Sequence, residues 1–397
     1  MSTMRIIQLD IEGFRSLRNV SWKPGPLNVI IGANGAGKSN LLQALEIISM
    51  SARGGLSKYV QSLGGMDSIV WDGSASAISY TLTTSPVGHP QGPDRYFLEL
   101  SRLGTGSSYR ITHETLANYA KIRTGEKAQR FKFLERAPTY AMVSDDSERS
   151  IVAPADAVPD EESLLSIATS PFGTNRAIPQ FQHELQGITV YPCLQVSRDS
   201  VIRQAAVARP ERRVDPDGQN LIPVLHTLYT GDRDFKQSID EAMKAAFGFD
   251  YEELVFPPAA DQRIQLRVRW RPLHRAQSAA DLSDGTLRFL FLLAVLASPS
   301  AGPLIAIDEP ETGLHPGMLP IIAEYAVEAS NRTQVILTTH SPQMLDAFGG
   351  KWPTATVAYW ENGETTLKVL DENQLEYWLK EYSLGALFKS GELELMA

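Results

Sequence analysis

One cysteine, Cys193, stands in 397 residues, which excludes an intrachain disulfide and any cysteine-cluster metal site. No nearby histidine is positioned to activate its thiol, so a small buried side chain is the expected role. No stretch of ~20 apolar residues occurs, so no membrane-spanning helix and no membrane partner are expected. The opening Met-Ser-Thr-Met-Arg-Ile-Ile-Gln-Leu-Asp lacks an apolar signal core, and a soluble, cytoplasmic protein is the expectation. Basic residues are outnumbered, 37 Lys and Arg against 46 Asp and Glu, for a net charge of −9. That argues against a wholly basic nucleic-acid coat and leaves room for a local basic groove. No internal repeat and no sustained heptad array is present, which excludes a long coiled-coil arm. At 43% hydrophobic, the chain can bury a large core, as two domains or one elaborated domain.

What is present is sharp. Gly32 to Ser39 read Gly-Ala-Asn-Gly-Ala-Gly-Lys-Ser, a complete phosphate-binding loop. Ahead of it, Leu27 to Ile31 is an apolar run of the kind that forms a buried parallel strand. Behind it, Asn40 to Ile48 has helical spacing and no breaker. Strand, glycine loop, helix is the context that gives the motif its chemistry. Gly32, Asn34, Gly35, Ala36, Gly37, Lys38, Ser39 and Asn40 are the expected nucleotide-binding set. Glycines let backbone N–H groups converge on phosphate oxygens, and the helix start adds partial positive charge. Lys38 is expected to reach the β- and γ-phosphates, and the Ser39 hydroxyl to ligate Mg²⁺. A bound nucleoside triphosphate follows, with ATP and Mg²⁺ as cofactors.

The second half of the site lies far downstream. Leu304-Ile305-Ala306-Ile307-Asp308-Glu309 is an apolar strand ending in two carboxylates. Asp308 suits the Mg²⁺ shell, and Glu309 can orient or deprotonate the attacking water. Val335 to Thr339 runs into His340, which at a strand exit can hydrogen-bond the γ-phosphate. Between the halves, Ser283 and Gly285 of Leu282-Ser283-Asp284-Gly285-Thr286 open a helix and make a second anion-binding end. One phosphate group has no use for two such ends in one chain, unless the second faces a nucleotide held by another subunit.

Along the rest of the chain, the first 31 residues read as β, with strands at 5–12, 17–23 and 27–31. Strand-like runs follow at 77–83, 96–103 and 108–112, the makings of an antiparallel sheet. Lys121 to Arg136 reads as a mixed-charge helix, and Ser144 to Glu162, with seven acids, as a loop. Asn220 to Phe247 has helical periodicity. Residues 263–270 alternate Ile264, Leu266, Val268 and Trp270 with polar residues, giving one strand whose arginine face continues through Arg267, Arg269 and Arg271. Helices are expected at 285–297, 316–330, after Ser341-Pro342 and over 372–382. A hairpin is expected around Glu361-Asn362-Gly363. Asp215-Pro216-Asp217-Gly218 reads as a turn rather than a metal-nuclease pair.

Taken in order, these pieces resemble the ABC-type ATPases of the RecF, SMC and OLD group, and look most like the stand-alone heads that carry no nuclease. The resemblance covers roughly 4–85 and 263–397. It rests on the phosphate loop, Ser283-Asp284-Gly285, Asp308-Glu309, the stretch Glu311-Thr312-Gly313-Leu314-His315-Pro316, and His340. Asp284 departs from the glycine common at that position in transporters. The implied fold is α/β: an ABC-ATPase-like P-loop core with a mixed sheet, an antiparallel β subdomain and an inserted α-rich lobe. The domain reading is 1–114 and 263–397 for the two parts of the head and 115–262 for the insertion. The resemblance implies a homodimer, paired head-to-tail, with each ATP between one subunit's phosphate loop and the other's Ser283 and Gly285. It also implies that Arg15, in Gly13-Phe14-Arg15-Ser16-Leu17, approaches the phosphates. A glutamine loop is not identifiable, with Gln43 and Gln61 both open. The residues after His340 leave little room for a nuclease domain. The expected role is an ATP-hydrolysing protein of DNA repair or anti-phage defence, with DNA a partner. The alternative is a nucleotide-switched module that controls a separate effector protein such as a nuclease.

Overall fold

The computed structural model describes residues 3–88, 92–104, 106–120, 129–145, 149–168, 175–371, 375, 378–379 and 382–393. Strands β1 (Ile6–Phe14) and β2 (Leu17–Trp22) form an antiparallel pair. Pro24-Gly25-Pro26 breaks the chain before β3 (Leu27–Ile31), whose five residues are all buried. The phosphate loop carries β3 into helix α1 (Lys38–Arg53). Helices α2 (Leu56–Ser62) and α3 (Met66–Ile69) follow, each after a glycine pair. Next come β4 (Ala77–Thr84), β5 (Asp94–Arg102), β6 (Tyr109–Ala120), β7 (Gln129–Ala137), β8 (Tyr140–Ser144) and β9 (Ser150–Pro154). With β1 and β2 they make an eight-stranded antiparallel sheet in the order β2-β1-β4-β5-β6-β7-β8-β9.

Helices α4 (Leu164–Ile167) and α5 (Ala177–Gln186) return the chain to the nucleotide core at β10 (Thr189–Tyr191). After β11 (Ala206–Val207), α6 (Leu221–Gly231) and α7 (Arg233–Phe247) form a helical pair. Asp232 separates them, its carboxylate capping α7 through the amides of Asp234 and Phe235. Strands β12 (Tyr251–Val255), β13 (Pro258–Ala259), β14 (Arg263–Ile264), β15 (Arg267–Trp270) and β16 (Gln277–Ser278) complete two small sheets. The remaining elements are α8 (Asp284–Leu296), β17 (Leu304–Asp308), α9 (Leu319–Ala329), β18 (Gln334–Thr339), α10 (Pro342–Asp346), β19 (Thr354–Glu361), β20 (Glu364–Val369) and α11 (Leu384–Ser390).

The second sheet has the order β10-β17-β18-β3-β19-β20, parallel from β10 to β19 and antiparallel at β20. Its central strands bury both faces, which is why they read as unbroken apolar runs. Alternate residues go to opposite cores. Val29, Ile31, Ile305, Ile307, Val335 and Leu337 join one cluster with α6 to α9. Ile30, Leu304, Ala306 and Ile336 join the other, with α1 and the antiparallel sheet. Each of these buried Val, Leu and Ile side chains contributes roughly 1.5–3 kcal/mol. This sandwiching holds the carboxyl ends of β17, β18 and β3 side by side, with Asp308 opposite Thr338 and Thr339 opposite Ile31. In an open parallel sheet, ligands bind at that edge.

Three expectations fail. The segment read as a helix over 121–136 is strand β7 from Gln129 onward, and 121–128 lie outside the described residues. Phe131 and Phe133 stack edge-on at 5.0 Å on one face, and Leu134 is buried. Pairing with β6 and β8 overrides the local charge pattern. The loop expected over 144–162 contains β9, paired with β8, and residues 146–148 lie outside the described residues. The single strand expected over 263–270 divides between two sheets. Gln265 donates its amide to Pro257 O and Leu266 accepts from Ala279 N, so the chain changes partners there. The expected helix over 372–382 lies largely outside the described residues. The turn at 215–218 closes from Gly218 N to Asp215 O at 2.9 Å.

Candidate functional site

The phosphate loop is shaped by its neighbours as much as by its ligand chemistry. Gly37, at φ 92°, is the left-handed N-cap of α1. A Cβ there would collide with the Thr365 hydroxyl of β20 and the Ser16 hydroxyl, and one at Gly32 would collide with the Ala358 carbonyl of β19. The hairpin β19–β20 therefore clamps the loop from behind. Because the cap residue is a glycine, no side chain occupies the first amides of α1. Those donors, with the helix dipole behind them, point to an anion.

Lys38 is 5% exposed. Its ammonium donates to the carbonyls of Gly32 (2.8 Å) and Ala33 (3.0 Å), pinning the loop's entry. Burial pushes its pKa down, against the opposing fields of Glu309, Asp308 and Glu311. Lys38 and three carboxylates thus share one electrostatic neighbourhood. The Ser39 hydroxyl donates to Asp308 Oδ2 at 3.0 Å, while the Thr338 hydroxyl holds Asp308 Oδ1. A hydroxyl and a carboxylate oriented together are hard oxygen donors of the kind that would suit Mg²⁺. Among the described residues no group of three or more His, Cys, Asp and Glu is gathered to hold a metal by itself.

Glu309 sits at φ 47°, a left-handed conformation that costs a non-glycine residue of order 1–3 kcal/mol. Its amide donates to both the carbonyl (3.2 Å) and the hydroxyl (3.1 Å) of Thr338, which hold the strained turn. Its Oε1 lies 2.8 Å from His340 Nδ1. The two residues expected to face the γ-phosphate are therefore in mutual contact.

Ser283 and Gly285 open α8, where a Cβ on Gly285 would lie 3.0 Å from the Gly313 carbonyl. Ser283 caps α8, its hydroxyl accepting from Thr286 N at 3.1 Å. Among the described residues no hydrogen bond joins either residue to the loop at 32–40. Arg15, at φ 46°, donates its amide to Ile69 O. Its charge is felt by the phenols of Tyr59 and Tyr80, and its buried Nε has no hydrogen-bond partner among the described residues.

Several residues here were not singled out beforehand. Ser16, next to Arg15, accepts from Asn40 Nδ2 and from the Thr365 hydroxyl, both at 2.7 Å, so it links the turn to the start of α1. Glu311 accepts from the Thr339 hydroxyl at 2.5 Å, while its Oε2 is buried without a partner. Burial raises its pKa, with the Thr339 bond opposing. The run Asp308-Glu309-Pro310-Glu311 was the available signal. Cys193, expected to be buried, is exposed. With Pro192 and Leu194 it follows β10 and lines a groove shared with Arg288, Asp308 and Glu309. The strand before it is only three residues long, too short a pattern to place the thiol. That segment continues to Gln195, which is exposed. Of the two glutamines left open, Gln43 has a buried, unpartnered Oε1 on α1, and Gln61 bonds Ser57 on α2 at 3.4 Å.

The molecule has relatives. The crystal structure of the SmcHead bound to the C-winged helix domain of ScpA superposes with a TM-score of 0.56 at 15% identity, covering 94% of this chain and 99% of that one. The Smc head domain with an extended coiled coil, bound to the C-terminal domain of ScpA derived from Pyrococcus furiosus, superposes at 0.53 and 13% identity, covering 96% and 99%. A DNA replication and repair protein RecF from Marinomonas sp. (strain MWYL1) is 43% identical over 47 residues, 12% of this chain and 13% of RecF. The chain thus matches only about an eighth of that relative's length. Among the described residues no helix is long and apolar enough to cross a membrane. Residues 27–346 match the family described as "AAA domain, putative AbiEii toxin, Type IV TA system"; the chain belongs to that family and has the fold of the SMC head.

Proposed function

We propose that this chain binds ATP with Mg²⁺ and hydrolyses it between two copies paired head-to-tail. One observation carries the reading. Lys38, Ser39, Asp308, Glu309 and His340 converge on one sheet edge, while among the described residues no hydrogen bond joins Ser283 or Gly285 to the loop at 32–40. An anion-binding helix start with no bond to its own phosphate loop fits a nucleotide held by a neighbour. Ser39 and Asp308 would hold Mg²⁺, which would neutralise charge on the transferring phosphate. Lys38 would leave its loop carbonyls to face phosphate oxygens. Glu309 would take the proton of the attacking water, with His340 holding that carboxylate in place and donating toward the γ-phosphate. The γ-phosphate is then the contact that distinguishes the closed pair from the open one.

The test is Glu309→Gln. It should bind ATP, hydrolyse it slowly and accumulate as a dimer seen by light scattering. A monomer with full turnover would contradict the scheme.

The paired heads would serve DNA repair or anti-phage defence, a reading supported by the RecF and SMC likeness. A second reading, control of a separate effector protein such as a nuclease, draws support from the arginine face. Arg269 is paired with Glu253 at 2.7 Å and Arg267 with Gln265 at 2.9 Å, so two of its three arginines are engaged within the fold. The family description also names a toxin system. DNA affinity that falls steeply with salt favours the first reading, and no DNA binding at low salt favours the second.

A further inference from the structure

The loop carrying Ser283 and Gly285 is gripped by a side chain from a distant part of the chain. Arg203 ends a short helical turn, Val201–Arg203, and its side chain is 5% exposed. Its Nη1 donates to the carbonyls of Leu282 (2.7 Å), Ala279 (3.2 Å) and Ala280 (3.3 Å). These are three of the four carbonyls that precede Ser283, gathered where the turn Ala279–Asp281 gives way to α8. Its Nη2 donates to the Asp284 carboxylate inside the loop. Its Nε donates to Val196 O at 3.0 Å. The planar guanidinium, with five N–H groups, reaches both segments at once, which a point-charge ammonium cannot do.

The second segment is the one that leaves β10. Its residues Pro192, Cys193 and Leu194 share a groove with Asp308 and Glu309, and Tyr191 meets Phe291 of α8 edge-on at 5.7 Å. Asp284, the departure from the glycine common at its position, acquires a physical reason: it is the carboxylate that Arg203 holds.

We propose that Arg203 is a positioning residue. It ties the segment flanking one copy's carboxylate pair to the loop that the same copy presents to its neighbour's nucleotide. Occupancy of one site is thereby felt at the other. The proposal rests on the paired-copy reading above.

The experiment uses Arg203→Met and Arg203→Lys, each alone and with Glu309→Gln, in the full chain with Mg²⁺ and ATP. Equilibrium dialysis at protein concentrations that keep the chains monomeric should give ATP affinity within about twofold of the native chain, because Lys38 and Ser39 are untouched. Dimerisation of the Glu309→Gln form should need at least tenfold more protein, and turnover of Arg203→Met should fall about 10- to 100-fold, as misplaced groups do. Arg203→Lys keeps the charge and should remain impaired, because it cannot span both segments. Mixing Arg203→Met with Lys38→Ala should restore part of the activity, since the mixed pair holds one composite site with a native phosphate loop and a native facing loop, lacking only the Arg203 tie beside its own carboxylates. A residue that only supports its own subunit's fold would give no such recovery. If Glu309→Gln itself never dimerises with ATP, the paired-copy reading fails and this proposal with it. If it dimerises equally well with and without Arg203, or the mixture stays inactive, the proposal alone is overturned.

Discussion

Replacing Lys38 with methionine separates what this side chain does for the fold from what it does for a ligand. Its ammonium makes two carbonyl bonds, at 2.8 and 3.0 Å, worth about 1.5–3 kcal/mol each as bonds from a charged group. Burial opposes that gain by holding its pKa below the ordinary 10.5. A lysine whose folded pKa is lowered destabilises the fold throughout neutral pH. Stability returns only as pH rises from the folded pKa toward 10.5, because the unfolded chain holds the proton more tightly there. Methionine removes the bonds and the burial cost together, so the melting temperature without nucleotide should stay within about 2 °C.

With Mg²⁺ and ATP the outcome differs. Ligand at 100 times its Kd adds about 2.7 kcal/mol. An unfolding entropy of about 0.8 kcal/mol/K for 397 residues converts this to a rise of about 3 °C in the native chain. Removing one partner of a desolvated charge pair costs about 2–5 kcal/mol, at least thirtyfold in Kd. At the same ATP concentration the rise should therefore shrink to about 1 °C or less. Scanning calorimetry of both chains, with and without Mg-ATP, reads all four values. An unchanged nucleotide-induced rise in Lys38→Met would refute the reasoning.

Two further outcomes follow from the same geometry. His340→Asn removes the imidazole 2.8 Å from Glu309 and should lower kcat about 100-fold with KM little changed. Steady-state kinetics would show otherwise if the histidine only fills space. Glu311→Gln should melt higher than the native chain at neutral pH, because a carboxyl raised by burial loses stabilising power as pH climbs from 4.5 through its folded pKa. The gap should close on acidification toward 4.5, and a variant that melts lower at every pH would contradict the assignment.

The features legible in the sequence were those made by a few adjacent residues on one element. The phosphate loop between Leu27–Ile31 and α1 announces itself, and so do Asp308-Glu309 and His340 at strand exits, because each strand is buried on both faces and reads as an apolar run. The Asn362-Gly363 turn was legible for the same reason, both residues having positive φ. What was hidden depends on pairing between distant segments. Nothing in 129–154 marks it as three strands until β6 supplies the first ladder. The contact between Arg203 and Asp284 spans 81 positions and has no periodic signature. Ser16 reaches Asn40 only because β1 and β2 turn back over α1.

The central claim is that a nucleotide lies between the phosphate loop of one copy and the Ser283 loop of another. Asn34 and Ser283 are both exposed, so cysteines at these two positions, in separate Glu309→Gln chains whose Cys193 is replaced by serine, report it directly. A short bifunctional thiol reagent should join the two chains when Mg-ATP is present and leave them separate without it. Chains that stay separate with Mg-ATP, or join equally well in its absence, would contradict the account.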